Sequence, residues 1–114
     1  TKLLKSYGLQ GGFLKISRRS VERMVMEFPQ LECVYDGKKM VALFDTMIVR
    51  GKIDESDPFP EGQYLGEDCA FTRRWQMCGG TAYIEPNITF EHIGRKSWPG
   101  NLAIFLAAQA ELAA

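Results

Sequence analysis

A mixed α/β chain of the α+β kind, with one small sheet, a β-hairpin and three helices, is the fold class that this sequence predicts. Three observations carry it. Apolar residues recur at helical spacing in three stretches bounded by capping or breaking residues. Short apolar runs flank turn dipeptides between those stretches. The 114 residues give one core but not two, so residues 1–114 read as a single domain.

Leu9–Ser17 reads as a strand opened by Gly11-Gly12, and Ser17 or Ser20 can cap the helix after it. In that helix Val21, Met24, Val25 and Phe28 share one stripe, and Pro29 stands where it should stop. Leu31–Tyr35 and Met40–Phe44 flank Asp36-Gly37, a dipeptide that tolerates positive φ angles, and so predict a hairpin. From Arg50 to Gln63 the chain is polar, with Gly51, Pro58, Pro60 and Gly62, and is expected to be loop. Its acids Asp54, Glu55 and Asp57 suit a solvated connection, disordered near Asp54, or a mobile segment that covers a substrate.

A second helix is expected from Glu67 to Cys78, with Phe71, Trp75 and Cys78 on its buried face and Gly79-Gly80 ending it. Thr81–Glu85 and Ile88–His92 read as strands around a Pro86-Asn87 turn. Pro99-Gly100-Asn101 then leads into an alanine-rich helix reaching Ala114, capped by Asn101 and striped by Leu102, Phe105, Leu106 and Leu112. The expected core gathers Phe13, Ile16, Val25, Phe28, Phe44, Phe71, Trp75, Tyr83 and Ile84.

Composition narrows the function classes. Hydrophobic residues make up 46% and charged residues 25%, as in an ordinary globular protein. Lysine and arginine (14) balance aspartate and glutamate (14), and no basic run is interleaved with aromatics, so a nucleic-acid partner is not expected. The pairs Arg18-Arg19 and Arg73-Arg74 read as solvated helix faces. Cys33, Cys69 and Cys78 are odd in number and lack CxxC spacing, which suggests neither a disulfide framework nor a zinc site and fits a reducing cytoplasm. No apolar run is long enough to span a bilayer and no leader is visible. The chain begins at Thr1, as a trimmed or excised chain would.

The chemistry concentrates around Glu67-Asp68, whose carboxylates suit a first helical turn on dipole grounds alone. Adjacent helical residues point about 100° apart, which argues against a hydrolase that sets the two across a cleft. The run Gly66-Glu67-Asp68-Cys69-Ala70-Phe71-Thr72-Arg73-Arg74-Trp75 continues to Gly79-Gly80, Glu85-Pro86 and His92-Ile93-Gly94. That order resembles the acceptor-side, C-terminal half of GT-A glycosyltransferases related to family 2. Gly12–Arg19 and Ala42-Leu43-Phe44-Asp45 resemble the segments that precede it there, so the likeness runs from about Gly8 to Gly100.

The resemblance implies roles residue by residue. Asp68, or else Glu67, would be the general base that takes the proton of an acceptor hydroxyl, and Asp45 and Trp98 would meet the acceptor, a sugar or glycan. As a loop aromatic, Trp98 can stack on a sugar ring or cover the edge of the core. His92 matches a position where some members supply a metal ligand. The family's nucleotide-binding half and its aspartate-x-aspartate motif have no counterpart, and Asp54-Glu55-Ser56-Asp57 sits in a loop rather than at a strand end. No cofactor is therefore expected on this chain alone, whereas a complete enzyme implies manganese or magnesium. The chain is expected to be inactive by itself and to pair with a nucleotide-binding half or with copies of itself. The alternative is a free-standing oligomerisation or partner-binding module of the same fold.

Overall fold

The computed structural model describes residues 2–113. Thr1 and the expected helix end at Ala114 lie outside the described residues. The elements run β1 (Leu4–Ser6), α1 (Arg18–Glu27), β2 (Glu32–Tyr35), β3 (Lys38–Val41), β4 (Met47–Ile48), β5 (Tyr64–Leu65), α2 (Glu67–Met77), β6 (Ala82–Ile84), β7 (Thr89–Ile93), β8 (Ser97–Asn101) and α3 (Leu102–Ala113). The class is α+β as expected, with three α-helices and antiparallel strand pairs among the described residues. The chain divides into two compact units, one of Lys5–Ala82 and one holding the residues from Tyr83 onward with those before Lys5. In place of one small sheet the strands form separate two-stranded pairs.

In the Lys5–Ala82 unit α1 forms as its sequence requires. Ser17 caps it by accepting the Ser20 N–H, and Pro29 opens a single 3-10 turn immediately after it. Met24 and Phe28 are buried and Val21 is partly so, whereas Val25 sits at the exposed margin of the stripe. The hairpin β2–β3 pairs Tyr35 with Lys38, and its two turn residues Asp36 (φ 50°) and Gly37 (φ 72°) take the positive φ angles that the dipeptide allows.

Helix α2 organises the unit. On one side Phe71 joins Met24, Phe28 and Leu43, with Trp75 and Cys78 packed at the edge. Phe44 stacks on Phe71 with centroids 4.2 Å apart and planes 12° from parallel. On another side Ala70 joins Val49 and Leu65, brought together by the β4–β5 pair. The helix ends where Gly79 takes φ 85° and Gly80 lies flat under Trp75. A Cβ at Gly80 would come within 1.9 Å of the indole Cε2, which explains the second glycine.

The expected strand at Leu9–Ser17 is absent, and residues 9–17 run as turn and irregular chain. Alternate N–H groups here bond to α2 instead of to a neighbouring strand. Leu9 N–H donates to Thr72 Oγ1 (3.2 Å) and Gly11 N–H to Asp68 Oδ2 (2.8 Å). Gly8 brings the backbone close to α2, since a Cβ there would lie 3.0 Å from Cys69 Sγ. Ile16 is exposed at the surface and Phe13 is 73% exposed, so the expected core loses both.

In the unit from Tyr83, the strand over Thr89–Ile93 pairs with β8 rather than turning back on Thr81–Glu85. Its register runs from Thr89 opposite Asn101 to Ile93 opposite Ser97. Asn101 closes the hairpin by donating to Thr89 Oγ1 (2.9 Å) and caps α3 by accepting the Ile104 N–H (3.2 Å). No residue of α3 is buried, and Tyr83 is exposed rather than core. No helix among the described residues is long and apolar enough to cross a membrane.

Candidate functional site

Glu67 and Asp68 occupy the first turn of α2 behind Gly66, where the free N–H groups of the helix favour negative charge. The two carboxylates differ in what they touch. Asp68 Oδ2 accepts the Gly11 N–H, and its Oδ1 accepts the Cys69 N–H at 3.2 Å. The Gly11 bond holds the Asp68 carboxyl below the usual carboxylate range, against a smaller opposing effect of partial burial. Glu67 is exposed and makes no hydrogen bond or ion pair among the described residues. The acidic pair thus combines one oriented, ionised carboxylate with one exposed neighbour.

The loop after β4 is a largely exposed connection, as expected, and it is tied down at several points, Asp54 among them. Asp54 accepts the Tyr7 hydroxyl (2.6 Å), the Lys5 ammonium (3.1 Å) and the Ser56 N–H (2.9 Å). Those partners lower the Asp54 pKa, Tyr7 most, and the Asp54 bond is the chief cause that raises that of Lys5. Glu61 accepts the Gly51 N–H at 2.6 Å.

Asp57 turns inward, and with it the expectation for Arg73-Arg74 is overturned. Neither arginine lies on a solvated face, since Arg73 is 1% and Arg74 5% exposed. Arg73 Nη2 donates to Asp57 Oδ2 (2.9 Å) and to Gly51 O (2.8 Å). Asp57 also accepts the N–H groups of Ile53 (2.9 Å) and Phe59 (3.1 Å). Burial opposes its charge, yet the Arg73 guanidinium and the two N–H groups outweigh that and hold its carboxyl below the ordinary range. Arg74 Nη1 donates to Leu43 O (2.8 Å) and to Asp45 O, pinning the chain after β3. Burial pushes the Arg74 pKa down while Asp45 acts the other way, and guanidinium remains a cation. The side chain of Asp45 is at the surface. No local signal announces this arrangement, because Asp57 lies 16 residues from Arg73 and no helical period links them.

The remaining candidates fall in the other unit. His92 lies exposed on β7 with Trp98 opposite it in register. Trp98 is 59% exposed and carries the Lys96 ammonium over its ring at 4.2 Å, so it does not cover a core edge. Among the described residues no three of His, Cys, Asp and Glu converge. The thiols of Cys69 and Cys78 are half-buried, and burial chiefly raises their pKa, leaving them poor nucleophiles.

Comparison with protein-family models, characterised proteins and solved structures finds no match. The functional reading therefore rests on the residues and their geometry.

Proposed function

We propose that these residues form the acceptor side of a nucleotide-sugar-dependent sugar transferase, with Asp68 as the base that receives the acceptor proton. The carrying observation is Asp68 at the N-terminal turn of α2, oriented by Gly11 and ionised below its usual range. An acceptor hydroxyl would donate to the Asp68 carboxylate while its oxygen bonds the anomeric carbon of the donor. The bond to the leaving diphosphate breaks, its electron pair goes with the diphosphate, and the proton goes to Asp68. A carboxylate of low pKa is a weak base, so Asp68 serves chiefly to orient the hydroxyl and takes the proton late. Glu67 is the second candidate base, and Asp45 supplies a polar contact to a sugar or glycan, whereas Trp98, in the other unit, offers an exposed ring for stacking on its own.

Such a base contributes about 10²–10⁴-fold, and holding the leaving diphosphate contributes more. A nucleotide-binding half and manganese or magnesium would neutralise that diphosphate in a complete enzyme. No step here is routed through a metal at His92. Three free thiols suit a cytoplasmic setting.

A glycan array probed with this chain tests the reading. Retention of particular acceptor glycans that is lost in Asp68→Asn is the expected result, together with no turnover of uridine or guanosine diphosphate sugars with or without manganese. An array on which nothing is retained would sink the acceptor role.

A second reading, a non-catalytic module that acts through self-association or partner binding, is favoured by one observation. The apolar residues Ile93, Ile104, Phe105 and Leu112 are all exposed.

A further inference from the structure

Between β1 and α1 the chain crosses one face of α2, where side chains rather than a strand receive its backbone. Gly11 N–H donates to Asp68 Oδ2 (2.8 Å), Leu9 N–H donates to Thr72 Oγ1 (3.2 Å), and Ser6 O accepts from Gln76 Nε2 (2.8 Å). Asp68, Thr72 and Gln76 follow one another at four-residue steps, so they form one row about 12 Å long that the segment crosses in the antiparallel sense. Gly8 rests over this row, since a Cβ built there would lie 3.0 Å from Cys69 Sγ.

Residues 7–11 are built as a flap between two fixed points. Ser6 is held by Gln76, and Leu14 packs against the cluster of Met24 and Phe71. No residue from 7 to 11 is buried, so polar contacts rather than apolar burial hold the stretch down, which places its opening at the low end of local stability. Those contacts are the Tyr7 hydroxyl to Asp54 Oδ1 (2.6 Å) and the N–H groups of Leu9 and Gly11 to Thr72 and Asp68. Gly12 is exposed, with open space where a side chain would be, and serves as the hinge.

Lifting the flap changes Asp68. The Gly11 bond is the chief cause that lowers its pKa, so without it the carboxyl moves back toward the ordinary range and is a stronger base. Its Oδ1 bond to the Cys69 N–H lies within α2 and stays. A carboxylate and a hydroxyl are then left in a row, and the hydroxyls of a sugar can donate to them in place of the two N–H groups.

We infer that residues 7–11 are an autoinhibitory flap, which when closed occupies the Asp68–Thr72 face of α2 with its own N–H groups and when lifted about Gly12 admits the hydroxyls of an acceptor glycan. The occupant rests on the acceptor reading above, whereas the separate lifting of the flap does not.

Alkylation of the intact chain with iodoacetamide, resolved cysteine by cysteine, tests the lifting without any glycan. Cys69 lies under Gly8, whereas Cys78 packs against the Met24 cluster and reports on unfolding of that core. The expected Cys69 rate is flat in urea below the unfolding transition and about tenfold faster in Thr72→Val, where the closed flap leaves the Leu9 N–H unpaired, with Cys78 unchanged. A Cys69 rate that rises with urea in step with that of Cys78, or that Thr72→Val leaves unchanged, overturns the inference. A covalent lock tests what the flap excludes. A Cβ at Gly8 would lie 3.8 Å from that of Cys69, the usual separation in a disulfide, so oxidised Gly8→Cys is held shut and reduced Gly8→Cys is free to lift. Array glycans should be retained at least about tenfold more by the reduced form, and equal retention overturns the inference. An array empty for both forms counts against the acceptor reading, and the Cys69 rates then decide the flap by themselves.

Discussion

Helices α2 and α3 invert what their compositions suggest. Helix α2 carries two adjacent arginines and buries both, whereas α3 is apolar over almost its whole length and buries no side chain. The difference lies in what surrounds each helix. Around α2 stand Asp57, the carbonyls of Leu43, Asp45 and Gly51, and two apolar clusters, so cations and aromatics alike find partners out of water. Near α3 the hairpin β7–β8 is itself exposed along both strands up to Asn101. Burial is thus a property of the partners that a helix meets, and composition predicts it only where those partners are apolar.

The sharpest way to break that comparison is to remove the partner of Arg73. In Asp57→Asn a guanidinium stays buried without its counter-charge, and the expected loss is about 3–5 kcal/mol. Urea unfolding followed by Trp75 fluorescence in a Trp98→Phe background reads this unit alone. The sign with pH is fixed by the lowered Asp57 pKa. Its stabilisation is complete above the ordinary carboxylate value of 3.8 and fades as pH falls through the lower folded value. Parent and variant should therefore differ most near neutrality and converge in acid. An Asp57→Asn midpoint equal to that of the parent at pH 7 would show that the pair is dispensable.

The same contrast explains how much of the molecule was legible in the sequence. Ser17, Pro29, Asp36-Gly37 and Gly79 act through their own backbone or the next turn, and α1, the first hairpin and α2 form where they were expected, except that the second hairpin strand lies at Lys38–Val41 rather than Met40–Phe44, as a two-residue turn requires. Leu9–Ser17 reads as a strand opened by Gly11-Gly12, but two of its N–H groups are claimed by Thr72 and Asp68, more than fifty residues on. The Ile88–His92 strand was legible as a strand, while its pairing with β8 was not, because Pro99 and Gly100 read as turn residues. Pro in an edge strand with no inner neighbour costs little, which is how Ser97–Asn101 tolerates both. At the candidate site the carboxylates at the start of α2 could be read from helix-end chemistry. The Gly11 contact that orients Asp68 is tertiary and left no local trace.

A smaller effect sharpens the account of how α2 ends. In Gly80→Ala the new methyl must displace the Trp75 ring, which is also held by its Nε1 bond to Thr81 O at 3.1 Å. The expected cost is about 1–3 kcal/mol, the range of an overpacked core, with a shift in Trp75 emission. A variant with parental stability and emission would mean that the indole moves freely and that Gly80 is not there to make room.

The smallest effect belongs to α3, and its smallness is the point. Phe105 is 57% and Leu112 81% exposed, so Phe105→Ser and Leu112→Ser remove little buried surface. Substitutions at such sites change stability by no more than about 0.5 kcal/mol. The expected result at low concentration is therefore an unfolding curve that overlays the parent. At high concentration the two readings of this apolar surface separate. If copies of the chain cover it, light scattering finds the parent larger than a monomer, and the double variant returns to monomer size, since two apolar anchors are lost at once. If another protein or a nucleotide-binding half covers it, parent and variant scatter alike. A loss of several kcal/mol in the dilute variant would overturn the comparison itself, because it would place α3 in a packed core that its exposure denies.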